Sequence, residues 1–281
     1  MSEISPALYR AGTGEPMVLL HGFTGTWRHW RPLLGDLVAR YEVIAPTISG
    51  HDGGPPFPDS TPLTLAGATD LLETQLDGLG IDTAHLVGNS MGGALALELA
   101  KRGRARTVVA LAPGGGWNAG DGEAQRLSRY FARQIRLTRR LERRIGAVMR
   151  QSNARHAALR DIMRHGELVS PADAVDLTRS SLRCSIAEHV ISALASDQGV
   201  TVHELDRIEC PVLLATPEHD RILPPALHAP RYRREIPGVQ PRVLLGCGHV
   251  PMWDDTHLVL STINGFVASR RSAPAPEAAR A

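Results

Sequence analysis

Apolar positions in this chain fall into short, nearly continuous runs, separated by longer stretches where they recur every three or four residues. The runs lie at 17–20, 41–45, 84–87, 107–112, 211–215 and 242–245. A run of this length without alternation suits a strand buried on both faces of a parallel sheet. Residues 7–10 read as an edge strand, and Gly12-Thr13-Gly14-Glu15 as a hairpin turn. Between the runs, residues 27–40 place Trp30, Leu33, Leu34, Leu37 and Val38 on one helical face. Residues 63–79 predict a second helix, capped by Thr61 or Thr64 and stopped by Gly80. Further helices are predicted at 94–100, 225–235 and 255–270, whereas 46–62 is too rich in Gly and Pro for regular structure. Strands alternating with helices predict an α/β fold with a mostly parallel central sheet and helices on both faces.

The alternation breaks at Pro113-Gly114-Gly115-Gly116. From 117 to 195 no strand-like run appears. Between Arg126 and Arg164 there are twelve arginines against two acids, Glu142 and Asp161. The predicted organisation is a core at 1–113, a helical cap at 114–197, the rest of the core at 198–270, and a disordered Ala/Pro/Arg-rich tail at 271–281. Ligands of open α/β sheets bind at the carboxyl ends of the strands. An insertion leaving there would act as a lid.

Composition narrows the function. A chain of 281 residues with 43% hydrophobic content can bury one large core or two modest ones. The net charge of +2 gives no overall bias toward polyanions. Lys101 is the only lysine, so arginine is the default basic residue, and the arginines of the insertion read as a solvated helical face. No nucleic-acid-binding motif accompanies them. Cys184, Cys210 and Cys247 lack C-x-x-C spacing, which suggests neither a disulfide framework nor a zinc site and fits a reducing compartment. The first 20 residues lack the basic and apolar regions of a secretory signal, and no run reaches the ~18 apolar residues of a membrane helix. The expectation is a soluble cytoplasmic protein, monomer or homodimer, acting on a small molecule without metal or cofactor.

The chemistry concentrates at Gly88-Asn89-Ser90-Met91-Gly92-Gly93, between an apolar run and an Ala/Leu-rich helix. G-x-S-x-G between strand and helix is the nucleophile elbow, in which a strained turn exposes the serine at the helix N-terminus. A serine hydroxyl needs a general base and a group to orient that base. Thr216-Pro217-Glu218-His219-Asp220 supplies carboxylates beyond one strand, and Gly246-Cys247-Gly248-His249 supplies an imidazole beyond the last.

With His21-Gly22-Phe23, Arg221-Ile222-Leu223-Pro224 and Gly248-His249-Val250-Pro251, these segments resemble the α/β-hydrolase fold superfamily, of the serine-nucleophile type with a helical cap. The order Ser90, Asp220, His249 is the one that fold uses. The resemblance implies Ser90 as nucleophile, His249 as base and Asp220 as its orienting acid, in preference to Glu218. It implies an oxyanion hole from the amides of Phe23 and Met91. Asn89, Trp117 and Val250 are expected near the substrate, with packing of the elbow the favoured role for Asn89. Trp27, Trp30 and Trp253 are expected in the core. His21 and His51 read as structural, His228 and His257 as solvated, and Cys247 as a small buried hydrophobe. A serine at the elbow excludes subfamilies that need aspartate there, namely epoxide hydrolases and haloalkane dehalogenases. The expected reaction is hydrolysis of a small to medium apolar carboxylic ester. The alternative is a carbon–carbon hydrolase of the meta-cleavage type, which Gly88-Asn89-Ser90-Met91-Gly92-Gly93 and Ala112-Pro113-Gly114-Gly115 also resemble. Phe23-Thr24-Gly25 and Val250 depart from that group. Thioesterase, lactonase and perhydrolase activities, or a catalytically repurposed binding protein, complete the range.

Overall fold

A computed structural model describes residues 2–271, the side chain of Arg271 excepted. Apart from the backbone of Arg271, the tail expected at 271–281 lies outside the described residues.

The first three strands are β1 (Glu3–Ile4), β2 (Leu8–Ala11) and β3 (Pro16–Leu20). Then come α1 (Arg31–Val38), β4 (Glu42–Pro46), α2 (Leu65–Gly78), β5 (Ala84–Asn89), α3 (Met91–Lys101) and β6 (Ala105–Leu111). Five α-helices separate β6 from β7 (Val212–Pro217): α4 (Glu123–Leu141), α5 (Ile145–Arg150), α6 (Ser152–Leu159), α7 (Pro171–Arg179) and α8 (Ala187–Ser196). The chain closes with α9 (Pro225–Glu235), β8 (Gln240–Leu244) and α10 (Thr256–Arg271). The eight strands form one sheet in the order β1-β2-β4-β3-β5-β6-β7-β8. β1 and β2 pair antiparallel at one edge, and every pair from β4 to β8 is parallel.

The near-continuous apolar runs are explained by the two cores flanking the sheet. On one face Met17, Leu19 and Val87 pack with Leu33 and Leu37 of α1 and Val259 and Ile263 of α10. On the other, Val18, Leu20 and Leu86 pack with Leu72 and Leu76 of α2 and most of α3. Every residue from Gly92 to Ala100 is buried, so α3 has no polar face to reveal its period. β8 departs from the buried-strand pattern: it is an edge strand whose first four residues are exposed, which accommodates Pro241.

Three local differences have plain causes. The helix expected at 27–40 opens as a 3-10 turn, Trp27–Trp30, capped by Thr26, because Pro32 has no N–H to give Arg28 O an α-type bond and Arg31 N bonds it instead. Thr64, rather than Thr61, caps α2 by accepting from Gly67 N at 3.1 Å. β1 is only two residues long and carries no periodic signal. Among the described residues, no helix is long and apolar enough to cross a membrane, and no group of His, Cys, Asp or Glu is arranged to hold a metal ion.

Candidate active site

Ser90 sits between the last residue of β5 and the first of α3, with φ 56° and ψ −118°. A non-glycine residue at positive φ costs roughly 1–3 kcal/mol and persists only where its surroundings enforce it. The enforcement is steric. A Cβ on Gly88 would lie 2.1 Å from Gly92 O, and one on Gly92 would lie 2.0 Å from Leu20 O in β3. Strand and helix can therefore meet at this angle only if both positions lack side chains. Hydrogen bonds fix the turn: Ser90 N donates to Leu111 O at 3.0 Å, and Ser90 O accepts from Ala94 N and from Gly114 N at 2.9 Å. Tyr232 Oη donates in turn to Gly114 O.

The expected carboxylate and imidazole come from the loops after β7 and β8. His249 Nδ1 bonds Asp220 Oδ2 at 2.7 Å, and both side chains are almost wholly buried. The other carboxylate oxygen, Asp220 Oδ1, accepts from the amides of Ile222 and Leu223, each at 2.8 Å. Three donors thus hold the carboxylate, and it presents one fixed oxygen to the imidazole. Glu218, the rival acid, points away: it is half exposed and accepts from Gly246 N. The elbow and the histidine loop are joined by Asn89, whose Nδ2 donates to His249 O at 2.9 Å and to Leu111 O at 3.2 Å. Among the described residues, no hydrogen bond links Ser90 Oγ to the His249 ring.

The amides of Met91 and Phe23 donate to no protein acceptor among the described residues. Met91 N opens α3, where the helix dipole favours negative charge. Gly22 holds the Phe23 loop against the elbow, since a Cβ there would lie 3.2 Å from Ser90 Cβ. His21 anchors this loop. It is fully buried, Nδ1 donates to Gly22 O at 2.8 Å, and Nε2 accepts from Ile48 N at 3.0 Å. One nitrogen donates and the other accepts, so the ring is neutral, with its proton on Nδ1. Burial, reinforced by His51, pushes its pKa well below 6.5. Burial, reinforced by His51 and His249, pushes His29 down to about 4, and burial pushes His51 down to about 4 against the raising effect of its bonds to Ser49 O and Ile48 O. These three rings therefore support the loop without carrying charge at neutral pH.

Ser90 and Met91 open onto a cavity of about 110 Å³. Its walls are overwhelmingly apolar, with Phe23, Phe57, Trp117, Phe131, Ile186 and Leu223 among them, and no Arg, Lys, Asp or Glu lines it. Leu127 and Phe131 of α4 and Val190 and Leu194 of α8 form part of these walls. Trp117 lines the cavity, but two of its expected companions do not. Asn89 is wholly buried, and its Nδ2 is committed to the carbonyls of Leu111 and His249, so it serves as a strut. Val250 is buried in the core beneath the histidine loop, pinned by its amide to Ile162 O at 2.8 Å. His228 is likewise not solvated: it is buried edge-on to Trp117 with Nε2 3.1 Å from Glu123, because α9 packs beneath the start of α4.

Two residues overlooked in the sequence shape the site. Asp254 receives the amides of Gly248, Arg164 and His165 at 2.6–3.0 Å, which ties the histidine loop to the segment after α6. Its neighbour Asp255 caps α10 by accepting from Leu258 N at 2.8 Å. His29, close enough to His249 to feel its charge, gave no periodic signal.

Comparison with known proteins adds family to geometry. The model of the "Alpha/beta hydrolase family" matches residues 17–262. Epoxide hydrolase EphH of Mycobacterium tuberculosis is 30% identical over 209 residues, 73% of this chain and 95% of that protein. A 2-hydroxy-6-oxo-6-phenylhexa-2,4-dienoate hydrolase of Burkholderia cepacia is 40% identical over 111 residues, 37% of this chain and 38% of that one. The solved structure of a thermophilic esterase from Thermogutta terrifontis superposes with a TM-score of 0.69 at 22% identity, covering 96% of this chain and 97% of the other.

Proposed function

This chain belongs to the alpha/beta hydrolase family, and from that premise we propose that it is a serine hydrolase cleaving a small to medium apolar carboxylic ester through an acyl-enzyme. The observation that carries the proposal is Ser90, strained at positive φ, opening with two unengaged amides onto an apolar cavity.

In this reading Ser90 Oγ attacks the ester carbonyl while His249 Nε2 takes its proton. The Oγ–H···Nε2 bond closes when substrate occupies the cavity, since catalytic hydrogen bonds tighten in the complex. The carbonyl oxygen becomes an oxyanion facing Met91 N and Phe23 N, each donor of this kind being worth ~3 kcal/mol in the transition state. Collapse expels the alcohol, which receives the proton from His249. Water, deprotonated by the same imidazole, then releases the acid from Ser90. Asp220 holds the ring in the tautomer that leaves Nε2 free as a base. The helical segment 114–197 acts as the cap that seals the acyl-binding space.

Epoxide opening does not suit this elbow, whatever the relative's name. A serine alkoxide opening an epoxide would leave an alkyl ether without a carbonyl for water to attack. The carbon–carbon reading has the identity to the Burkholderia dienoate hydrolase in its favour. Against it, a dienoate carries a carboxylate, and the cavity walls offer no Arg or Lys to receive one.

The test is to incubate the protein with p-nitrophenyl acetate and butyrate, with a dienoate ring-fission substrate, and with a fluorophosphonate probe. The ester reading expects p-nitrophenol release and labelling, both abolished by Ser90→Ala. Turnover of the dienoate alone transfers the proposal to carbon–carbon chemistry. Ester turnover that survives Ser90→Ala refutes it.

A further inference from the structure

α4 has two faces of opposite character. Ala124, Leu127, Ser128 and Ile135 are buried, and Leu127 and Phe131 wall the cavity. The opposite face carries Arg129, Arg133, Arg136 and Arg140, and the stripe continues past the helix end into Arg143 and Arg144. Spacings of four and three residues keep these side chains on one face over about 20 Å at the α-helical rise. All six are exposed, and none has an acid partner among the described residues. Glu142 is the only acid between Arg126 and Arg160. Elsewhere on the surface a neighbouring pair is neutralised: Arg102 and Arg104 pair with Asp70, Glu73 and Asp77. Beside the stripe stand two exposed leucines, Leu137 at 47% and Leu141 at 37% exposure. Beyond its end, Arg143, Arg179 and Arg183 line one surface hollow together with Glu142 and Leu182.

We propose that this face of the cap is a docking surface for an anionic lipid bilayer. Two features choose lipid over nucleic acid. Exposed leucines beside the arginines suit a headgroup–acyl boundary and gain nothing from a phosphate backbone. The stripe also lies along the outer side of the helix whose inner side walls the apolar cavity, so docking brings that cavity next to a lipid phase. Its six arginines, without acid partners among the described residues, complement the negative surface potential of an anionic leaflet, and the exposed Leu137 and Leu141 beside them can reach the headgroup region.

Binding is measured without turnover, so the result is independent of the ester assignment. The full chain is sedimented with vesicles of phosphatidylcholine alone and with vesicles containing about one third phosphatidylglycerol, at low and at physiological salt. Expected is binding to the anionic vesicles only, weakened by salt. The charge reversal R133E/R136E/R140E should lower vesicle affinity on the order of a hundredfold. The R133K/R136K/R140K variant should retain it, and L137S/L141S should weaken it several-fold. An unchanged thermal midpoint in each variant shows that the fold is intact. Absence of binding to anionic vesicles at low salt overturns the proposal, as does binding that the charge reversal leaves unchanged. Retention on duplex DNA, lost on charge reversal and unaccompanied by vesicle binding, overturns it in favour of a polyanion site.

Discussion

Asp220→Asn separates the orienting role of this carboxylate from its structural one. Asp220 Oδ1 accepts two amides, from Ile222 and Leu223, and Oδ2 faces His249 Nδ1. An asparagine there has one oxygen and one NH2. The two amides are donors and require the oxygen, so the NH2 must turn toward the imidazole. A donor facing Nδ1 forces the ring into the tautomer with its proton on Nε2, the nitrogen that must accept the serine proton. The backbone bonds survive and the side chain keeps its volume. Stability should therefore fall by no more than about 1–2 kcal/mol, the difference between a charged and a neutral acceptor. Catalysis should fall about 10⁴-fold in kcat, or about 5 kcal/mol, with KM little changed. Asp220→Ala would be a poorer probe, because it orphans the amides of Ile222 and Leu223 as well. The assay is p-nitrophenyl butyrate hydrolysis beside a thermal melt. A loss of less than tenfold, with the fold intact, would show that Asp220 does not orient the base.

Two further outcomes follow from groups outside the proposed triad. Asp254→Ala removes the acceptor shared by the amides of Gly248, Arg164 and His165; it should cost about 2 kcal/mol in unfolding free energy and lower kcat more than it raises KM, and a variant with unchanged melting and kinetics refutes the anchoring role. His29 and His51 protonate near 6.5 when unfolded but only near 4 when folded, so the unfolded state takes up protons first: their contribution is complete above about pH 6.5 and is lost as pH falls toward 4, by about 1.4 kcal/mol per unit for each ring. Melting profiles of the native chain and of His51→Gln between pH 7 and 4 should converge at the acid end, and parallel profiles would contradict the assignment of a buried neutral ring.

The elbow and the sheet were legible because their causes are local. Gly88 and Gly92 are demanded by backbone atoms within one strand–turn–helix unit and its neighbouring strand, and such a demand leaves its mark on adjacent positions. The apolar runs of β3 and of Leu86 and Val87 in β5 are similarly direct, since burial on both faces favours apolar side chains and admits a polar one, such as His85 or Asn89, only with partners. Where the reading failed, the cause was tertiary. Packing of the elbow is the favoured role for Asn89 in the sequence, but its partners lie 22 and 160 positions away, and nothing beside it in the chain names them. Val250 follows the histidine in sequence, but its amide is held by Ile162, on a segment far from it in the chain. His228 could have been recognised, because it shares helical spacing with buried Ala229 and Tyr232, so the inward face of α9 is written in the sequence.

The same division separates reaction from substrate. The reacting groups are fixed by sterics and hydrogen bonds that tolerate few residue types. The cavity walls come largely from the loop after β4 and from α4 and α8, where any apolar side chain of suitable volume serves. On the proposed reading, the chain therefore specifies its nucleophile tightly and its acyl group loosely. What constrains the acyl group is the absence of charge in the walls, because an ionised substrate arm buried there would lose several kcal/mol of hydration with no ion pair to offset it. An ester series graded by chain length should thus show kcat/KM rising with each methylene until the cavity is filled. A terminal carboxylate on the same chain should forfeit that gain.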